Sequence, residues 1–199
     1  MRRWENPRLK QWERLVTGCF PSRARVLDVG CGMGREAFVL TDMGFRVTGI
    51  DISREVIRQV SALFAQRGYT IPFILYDGHA LPFEAESFDA IVIWAQTFGL
   101  LHGDAYKQAF LSECKRVLAA GGLLSFSGHD RGYLLENYRD FVRDRKFYPY
   151  ADTELYWETF DESELGAFAR NAGYTVALCE RGDNYKPEDG PILHCLCRK

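Results

Sequence analysis

Val26-Leu27-Asp28-Val29-Gly30-Cys31-Gly32-Met33-Gly34 is an apolar run that passes straight into a glycine-rich turn and then a helical stretch. Without Cβ atoms at 30, 32 and 34 the chain can bend sharply and let a ligand approach its backbone. The helix start behind the turn offers unpaired N–H groups and a partial positive charge. An anionic group is the expected occupant. Dinucleotide-binding folds use a similar turn, with the fingerprint G-x-G-x-x-G. Here the glycines fall at 30, 32 and 34, and Asp28 stands just before them.

Outward from this turn, β-branched runs at 24–29, 45–50, 71–76, 88–94 and 122–127 alternate with helical spacing, which predicts a mostly parallel sheet covered on both faces. Val56, Ile57, Val60, Leu63 and Phe64 share one helical face ended by Gly68. Phe110, Leu111, Cys114, Val117 and Leu118 form another, closed by Gly121-Gly122, with Cys114 facing the core. A further helix starts at Asp161 with Glu164 at cap spacing and stops at Gly173. The last apolar runs, 174–179 and 192–197, read as an antiparallel pair joined by a polar loop containing Pro187. Residues 129–160 hold nine aromatics and follow no clear period.

The chain has 199 residues, 47% of them hydrophobic, enough for one substantial core, so 1–199 is expected to be a single domain. A net charge of −2, from 25 basic and 27 acidic residues, supplies no positive field for phosphate backbones, and nucleic acid is disfavoured as a partner. No apolar stretch follows the basic Met1-Arg2-Arg3-Trp4, so neither a signal peptide nor a membrane span is expected. The expectation is a soluble, cytoplasmic protein of open oligomeric state. The six cysteines lack paired CxxC spacing and histidine neighbours, so no metal is expected and the thiols read as packing groups.

Two further stretches carry chemistry. Gly49-Ile50-Asp51-Ile52-Ser53 ends the second strand. Asp51 there either accepts from both hydroxyls of a ribose, with Ile52 against a base, or serves as a helix-start charge with Ser53 as the cap. In Tyr76-Asp77-Gly78-His79-Ala80-Leu81-Pro82-Phe83, Asp77 either accepts from an exocyclic amine or closes an Asx turn.

Together, in order and spacing, the three stretches resemble the motifs of class I S-adenosylmethionine-dependent methyltransferases, from about Arg25 to Arg198. That resemblance implies a Rossmann-like, doubly wound α/β fold: a seven-stranded sheet, mostly parallel with a reversed final strand, and helices on both faces. It implies S-adenosylmethionine as cofactor, with S-adenosylhomocysteine as product. Asp28, Gly30, Cys31, Gly32 and Gly34 would bend under and orient the methionyl part, Asp51 and Ile52 would meet the ribose and base, and Asp77, Gly78 and His79 would frame the adenine. Trp94-Ala95-Gln96-Thr97-Phe98, after the fourth strand, would line the methyl-transfer site, with Trp94 and Gln96 among the cofactor-binding residues. No phosphates need binding, in keeping with the lack of a Walker lysine.

The chain lacks an Asn/Asp-Pro-Pro-Tyr motif and a Pro-Cys dipeptide, which points away from nucleic acid bases and toward a small-molecule acceptor. The segment 129–160 is expected to form an aromatic-rich substrate cap around a mostly apolar pocket, and residues 1–20, with Trp4 and Trp12, a helical lid. His129, Asp130 and His102 are positioned as possible bases, and no catalytic residue is assigned. The alternatives are a methyltransferase acting on protein or RNA, an NAD-dependent oxidoreductase, and a non-catalytic cofactor-binding module.

Overall fold

The computed structural model describes residues 7–142, 146–150, 152–186, 188 and 190–199; Trp4 and Pro187 lie outside them. Five strands run parallel: β1 (Arg25–Val29), β2 (Arg46–Asp51), β3 (Phe73–Leu75), β4 (Phe88–Ile93) and β5 (Leu118–Asp130). The sheet is completed by β9 (Thr175–Gly182) and β10 (Ile192–Arg198), in the order β3-β2-β1-β4-β5-β10-β9. The reversed strand β10 is antiparallel to both neighbours.

β1 sits at the centre because both its faces are apolar. Val26 packs with Trp12, Leu40 and Trp94 on one side, and Leu27 joins Phe98, Phe110, Leu111 and Leu165 on the other. The first side is covered by α1 (Gln11–Thr17) and α2 (Arg35–Asp42), the second by α4 (Asp104–Val117) and α7 (Glu162–Asn171). α3 (Arg54–Gln66), capped by the Ser53 hydroxyl at 3.3 Å from the Val56 N–H, buries Val60 and Phe64. The expected capping box opens α7, where Asp161 and Glu164 exchange bonds of 2.9 and 3.0 Å.

Three expectations change. The sheet has eight strands, not seven: β8 (Thr159–Phe160) pairs with the end of β5, because Phe160 lies over Gly128, where a Cβ would come within 2.5 Å of its ring. β5 starts at Leu118, directly after α4, and Gly121-Gly122 lie inside it where its register against β4 shifts. Residues 129–160 show no single period because the described residues among them finish β5 and then form four short elements before β8. These are α5 (Arg131–Asn137), α6 (Arg139–Val142), and a hairpin of β6 (Phe147–Tyr150) with β7 (Thr153–Tyr156).

The hairpin and β8 are fastened to the body by charge. Lys107 of α4 is fully buried and pairs with Glu158, which also takes Lys146, while the Glu158 N–H donates to Gly99 O at 3.0 Å. Leu111 of α4 is fully buried against the sheet. Leu111→Ala is expected to lower unfolding free energy by about 2–5 kcal/mol, read from urea denaturation midpoints.

Candidate cofactor cleft and acceptor face

β1 and β2 end side by side, and the glycine turn bridges them. The N–H groups of Gly30 and Cys31 both donate to Ile50 O at 2.9 and 3.0 Å. That of Gly34 donates to Cys31 O at 2.8 Å, and that of Gly32 to Asp51 Oδ2 at 3.1 Å. The turn has therefore spent these donors internally. Carboxylates surround it instead: Asp28, Glu36 and Asp51 all raise the pKa of the Cys31 thiol, after burial itself. The anion expected at this helix start is thus corrected, since the local field favours a cation.

Asp28 is 2% exposed, and its Oδ2 is buried with no hydrogen-bond partner. Desolvation first, and then the charge of Glu36, push its pKa well above the ordinary carboxylate range against the pull of Arg35. A group in this position lacks a counter-charge from the cleft side.

Asp51 holds the opposite wall, its Oδ1 accepting from the Ser53 N–H at 2.9 Å. Beside it Ile52 is 66% exposed, an unusual state for a large aliphatic at a strand end. A Cβ on Gly78 would stand 3.6 Å from Ile52 Cγ2 and 3.4 Å from the Tyr106 hydroxyl, which donates to Gly78 O. Ile52 and Gly78 are thus close neighbours at this edge. Asp77 does close an Asx turn, Oδ1 accepting from the His79 N–H at 2.8 Å, and this bond foremost holds its carboxyl below the usual range. His79 is exposed at the rim.

The floor is set by a close approach. Gly30 has φ +69°, and a Cβ there would lie 2.6 Å from Thr97 Cγ2, so the segment after β4 presses directly on the turn. That segment is bent through two non-glycine residues of positive φ, Ala95 at 50° and Gln96 at 61°, and the Gln96 N–H donates to Ser127 Oγ at 3.2 Å. Gln96 stays partly exposed at this edge. Trp94 does not line the cleft: its indole is buried, donating to Ser125 Oγ at 2.8 Å and packing edge-on to Trp12 at 5.4 Å. Gly34 serves packing, since a Cβ there would meet Phe64 at 2.7 Å.

Residues 26–122 match a family model described as a methyltransferase domain. A putative methyltransferase, YqeM, of Bacillus subtilis is 30% identical over 185 residues, covering 88% of this chain and 69% of that protein. The chain belongs to the class I S-adenosylmethionine-dependent methyltransferases. The cofactor of that family is S-adenosylmethionine. A 2-methyl-6-phytyl-1,4-hydroquinone methyltransferase of Synechocystis is 38% identical over 117 residues, 58% of this chain, and the match spans about a third of that enzyme, 35%. In fold, a methyltransferase of Methanosarcina mazei superposes with a TM-score of 0.80 at 21% identity, covering 93% of this chain and 96% of that one.

The three candidate bases expected from the sequence separate. His129, one residue before the end of β5, lies on the face of Ser125 and Ser127, its ring 4.0 Å from that of Trp157. Burial, aided by Lys10, depresses it to about 3, so it is a neutral acceptor at any ordinary pH. Asp130 is committed elsewhere, to an ion pair with Arg181 at 2.5 Å and the N-terminus of α5. His102 packs on Tyr156 at 4.4 Å. A cavity of about 510 Å³ beside α5, α6 and β8 is bounded by Arg131, Lys146, Asp104, Glu158 and Glu164 as well as by apolar groups. Its lining is charged because the ion pairs Lys146–Glu158 and Arg131–Glu164 border it. Among the described residues no group of three His, Cys, Asp or Glu could hold a metal, and no helix is long and apolar enough to cross a membrane.

Sequence patterns missed Glu13, Arg35 and Glu36, which form a buried array beside Asp28. The available signal was two adjacent charges opening α2 directly behind the turn. Trp12, expected in a lid, is buried and stacked on His194 at 4.9 Å.

Burial holds His194 at about 4. A histidine depressed on folding takes up its proton more readily in the unfolded chain, so its stabilising share is complete above about pH 6.5 and is lost as pH falls toward about 4. Relative to His194→Gln, the wild type should lose stability by up to about 1.4 kcal/mol per pH unit across that window, measured as parallel urea titrations.

Proposed function

We propose that this chain transfers the methyl group of S-adenosylmethionine to a small, planar acceptor. The observation that carries the reading is the cluster of acidic groups at the glycine turn, Asp51 beside it and Asp28 and Glu36 buried beneath it. A phosphate-bearing nucleotide would be repelled there, whereas a cofactor with an ammonium and a sulfonium is attracted. The unpartnered Asp28 Oδ2 and the exposed Ile52 beside Gly78 are the two places that fit its amino-acid and adenine ends.

Asp28, with Gly30, Cys31 and Gly32, would hold the amino-acid end, and Asp51 would accept from the ribose hydroxyls. Ile52, Asp77, Gly78 and His79 would frame the adenine. When bound, the cofactor supplies an activated methyl carbon with a neutral thioether leaving group. The protein's own work is alignment and exclusion of water. Thr97 against Gly30 fixes the segment carrying Gln96, so that its side chain borders the acceptor approach. His129, kept neutral and walled by Trp157, would accept a hydrogen bond from an acceptor hydroxyl or amine. The hydroquinone acceptor named for the Synechocystis relative is of this class, flat and bearing hydroxyls.

Calorimetry with S-adenosylhomocysteine should show micromolar binding, weakened about 30-fold by Asp51→Ala, equal to about 2 kcal/mol for charge-assisted bonds lost. Radiolabelled methyl should then appear on one member of a panel of hydroquinones, phenols and nitrogen heterocycles. Stabilisation by nicotinamide cofactors, with no binding of S-adenosylhomocysteine, would overturn the proposal.

A further inference from the structure

Four ionisable groups lie out of water beneath the glycine turn. Glu13 of α1 is 0% exposed, Asp28 of β1 2%, Arg35 of α2 4% and Glu36 of α2 6%. The Arg35 guanidinium grips Glu13 with two bonds, 2.7 Å to Oε2 and 2.6 Å to Oε1, and also donates to Glu36. One buried cation therefore faces three carboxyl groups. The same guanidinium donates to Arg8 O at 3.0 Å, and the Lys10 N–H donates to Glu13 Oε2 at 2.8 Å. Tyr185, between β9 and β10, donates to Arg8 O at 3.1 Å and carries the Arg8 guanidinium 4.9 Å above its ring. The segment from Arg8 to Glu13 is thus fastened to the fold through Arg35 as well as through the buried Leu9 and Trp12, while at the far side of the array Asp28 Oδ2 has no partner.

We infer that this array couples the seating of the N-terminal helix to occupancy of the cleft by an ammonium group, with Glu13 and Arg35 as positioning residues. The inference rests on the proposed placement of the cofactor's amino-acid end against Asp28. The groups facing Asp28 are Cys31 of the turn, Arg35 and Glu36 of α2 and Glu13 of α1, with Asp51 of β2 acting on Cys31 and with Lys10 and Tyr185 flanking the array. With the cleft empty of cations, the surplus of carboxylates over guanidinium is relieved by a proton, since burial raises both Asp28 and Glu36. An arriving ammonium takes over that role and the proton leaves. Whenever Asp28 and Glu36 are both ionised they draw on Arg35 in competition with Glu13; the ammonium answers the charge of Asp28, so the Arg35 fork stays with Glu13 and holds α1 in place. By linkage, a helix held in place binds the ammonium more tightly.

Two probes separate the parts: S-adenosylhomocysteine, which carries the amino-acid end, and 5′-methylthioadenosine, which lacks it. With the wild-type chain at pH 7, binding heats for S-adenosylhomocysteine should differ between phosphate and Tris buffers by the heat of a released proton. Those for methylthioadenosine should agree. Tryptic cleavage after Arg8, Lys10 and Arg14 should slow about tenfold with the first probe and not with the second. Glu13→Gln should weaken S-adenosylhomocysteine about tenfold and leave methylthioadenosine within about twofold. Leu15→Ala, at a position 74% exposed on the same helix, should change neither. Tight S-adenosylhomocysteine binding with equal heats in both buffers and unaltered cleavage would overturn the coupling while leaving the cofactor assignment standing. Failure of wild type to bind either nucleoside would remove the cofactor placement and the coupling with it.

Discussion

A guanidinium buried almost completely cannot stand without partners, and the way Arg35 finds them organises the molecule. Its fork holds Glu13 from the preceding helix, and its outer edge holds Glu36. Removing one partner of such a buried pair typically costs about 3–5 kcal/mol, because the other charge is left uncompensated. The N-terminal helix is thereby docked, and Trp12 is carried into the stack with Trp94 and His194. The acid of the glycine turn, Asp28, is left at the edge of a negative cluster.

That cluster distinguishes this cleft from phosphate-binding relatives of the same architecture. Glycine turns at strand ends ordinarily present free N–H groups to anions. Here Ile50 O and Asp51 absorb those donors. The same backbone shape is retained with its electrostatic sign reversed. The close approach of Thr97 to Gly30 then sets how far the segment after β4 stands from the turn.

Much of this was legible in the sequence where a local pattern decides the outcome. The five parallel strands fall where β-branched runs predict them, because a central strand buried on both faces must be apolar throughout. The final antiparallel pair and the Asp161 cap were equally plain. The cofactor motifs were recognisable as a set, since strand ends and the turns after them sit at fixed places along the chain. What remained hidden depends on long-range pairing. β8 exists only because Phe160 finds the bare backbone of Gly128 more than thirty residues away in sequence. The direction of Trp94 is set by Ser125 on the neighbouring strand, and the burial of Glu13 by an arginine on another helix. No periodicity within a single segment encodes such partners.

The place of β10 has a kinetic consequence. It lies between β5 and β9, so β9 is joined to the sheet only through a strand that comes later in the chain. While a ribosome has delivered residues only as far as Gly190, β5 is an open edge and β9 has nothing to pair with. Closing that gap brings together Leu193 and Gly128, a separation that makes folding slow and leaves an aggregation-prone edge in the meantime.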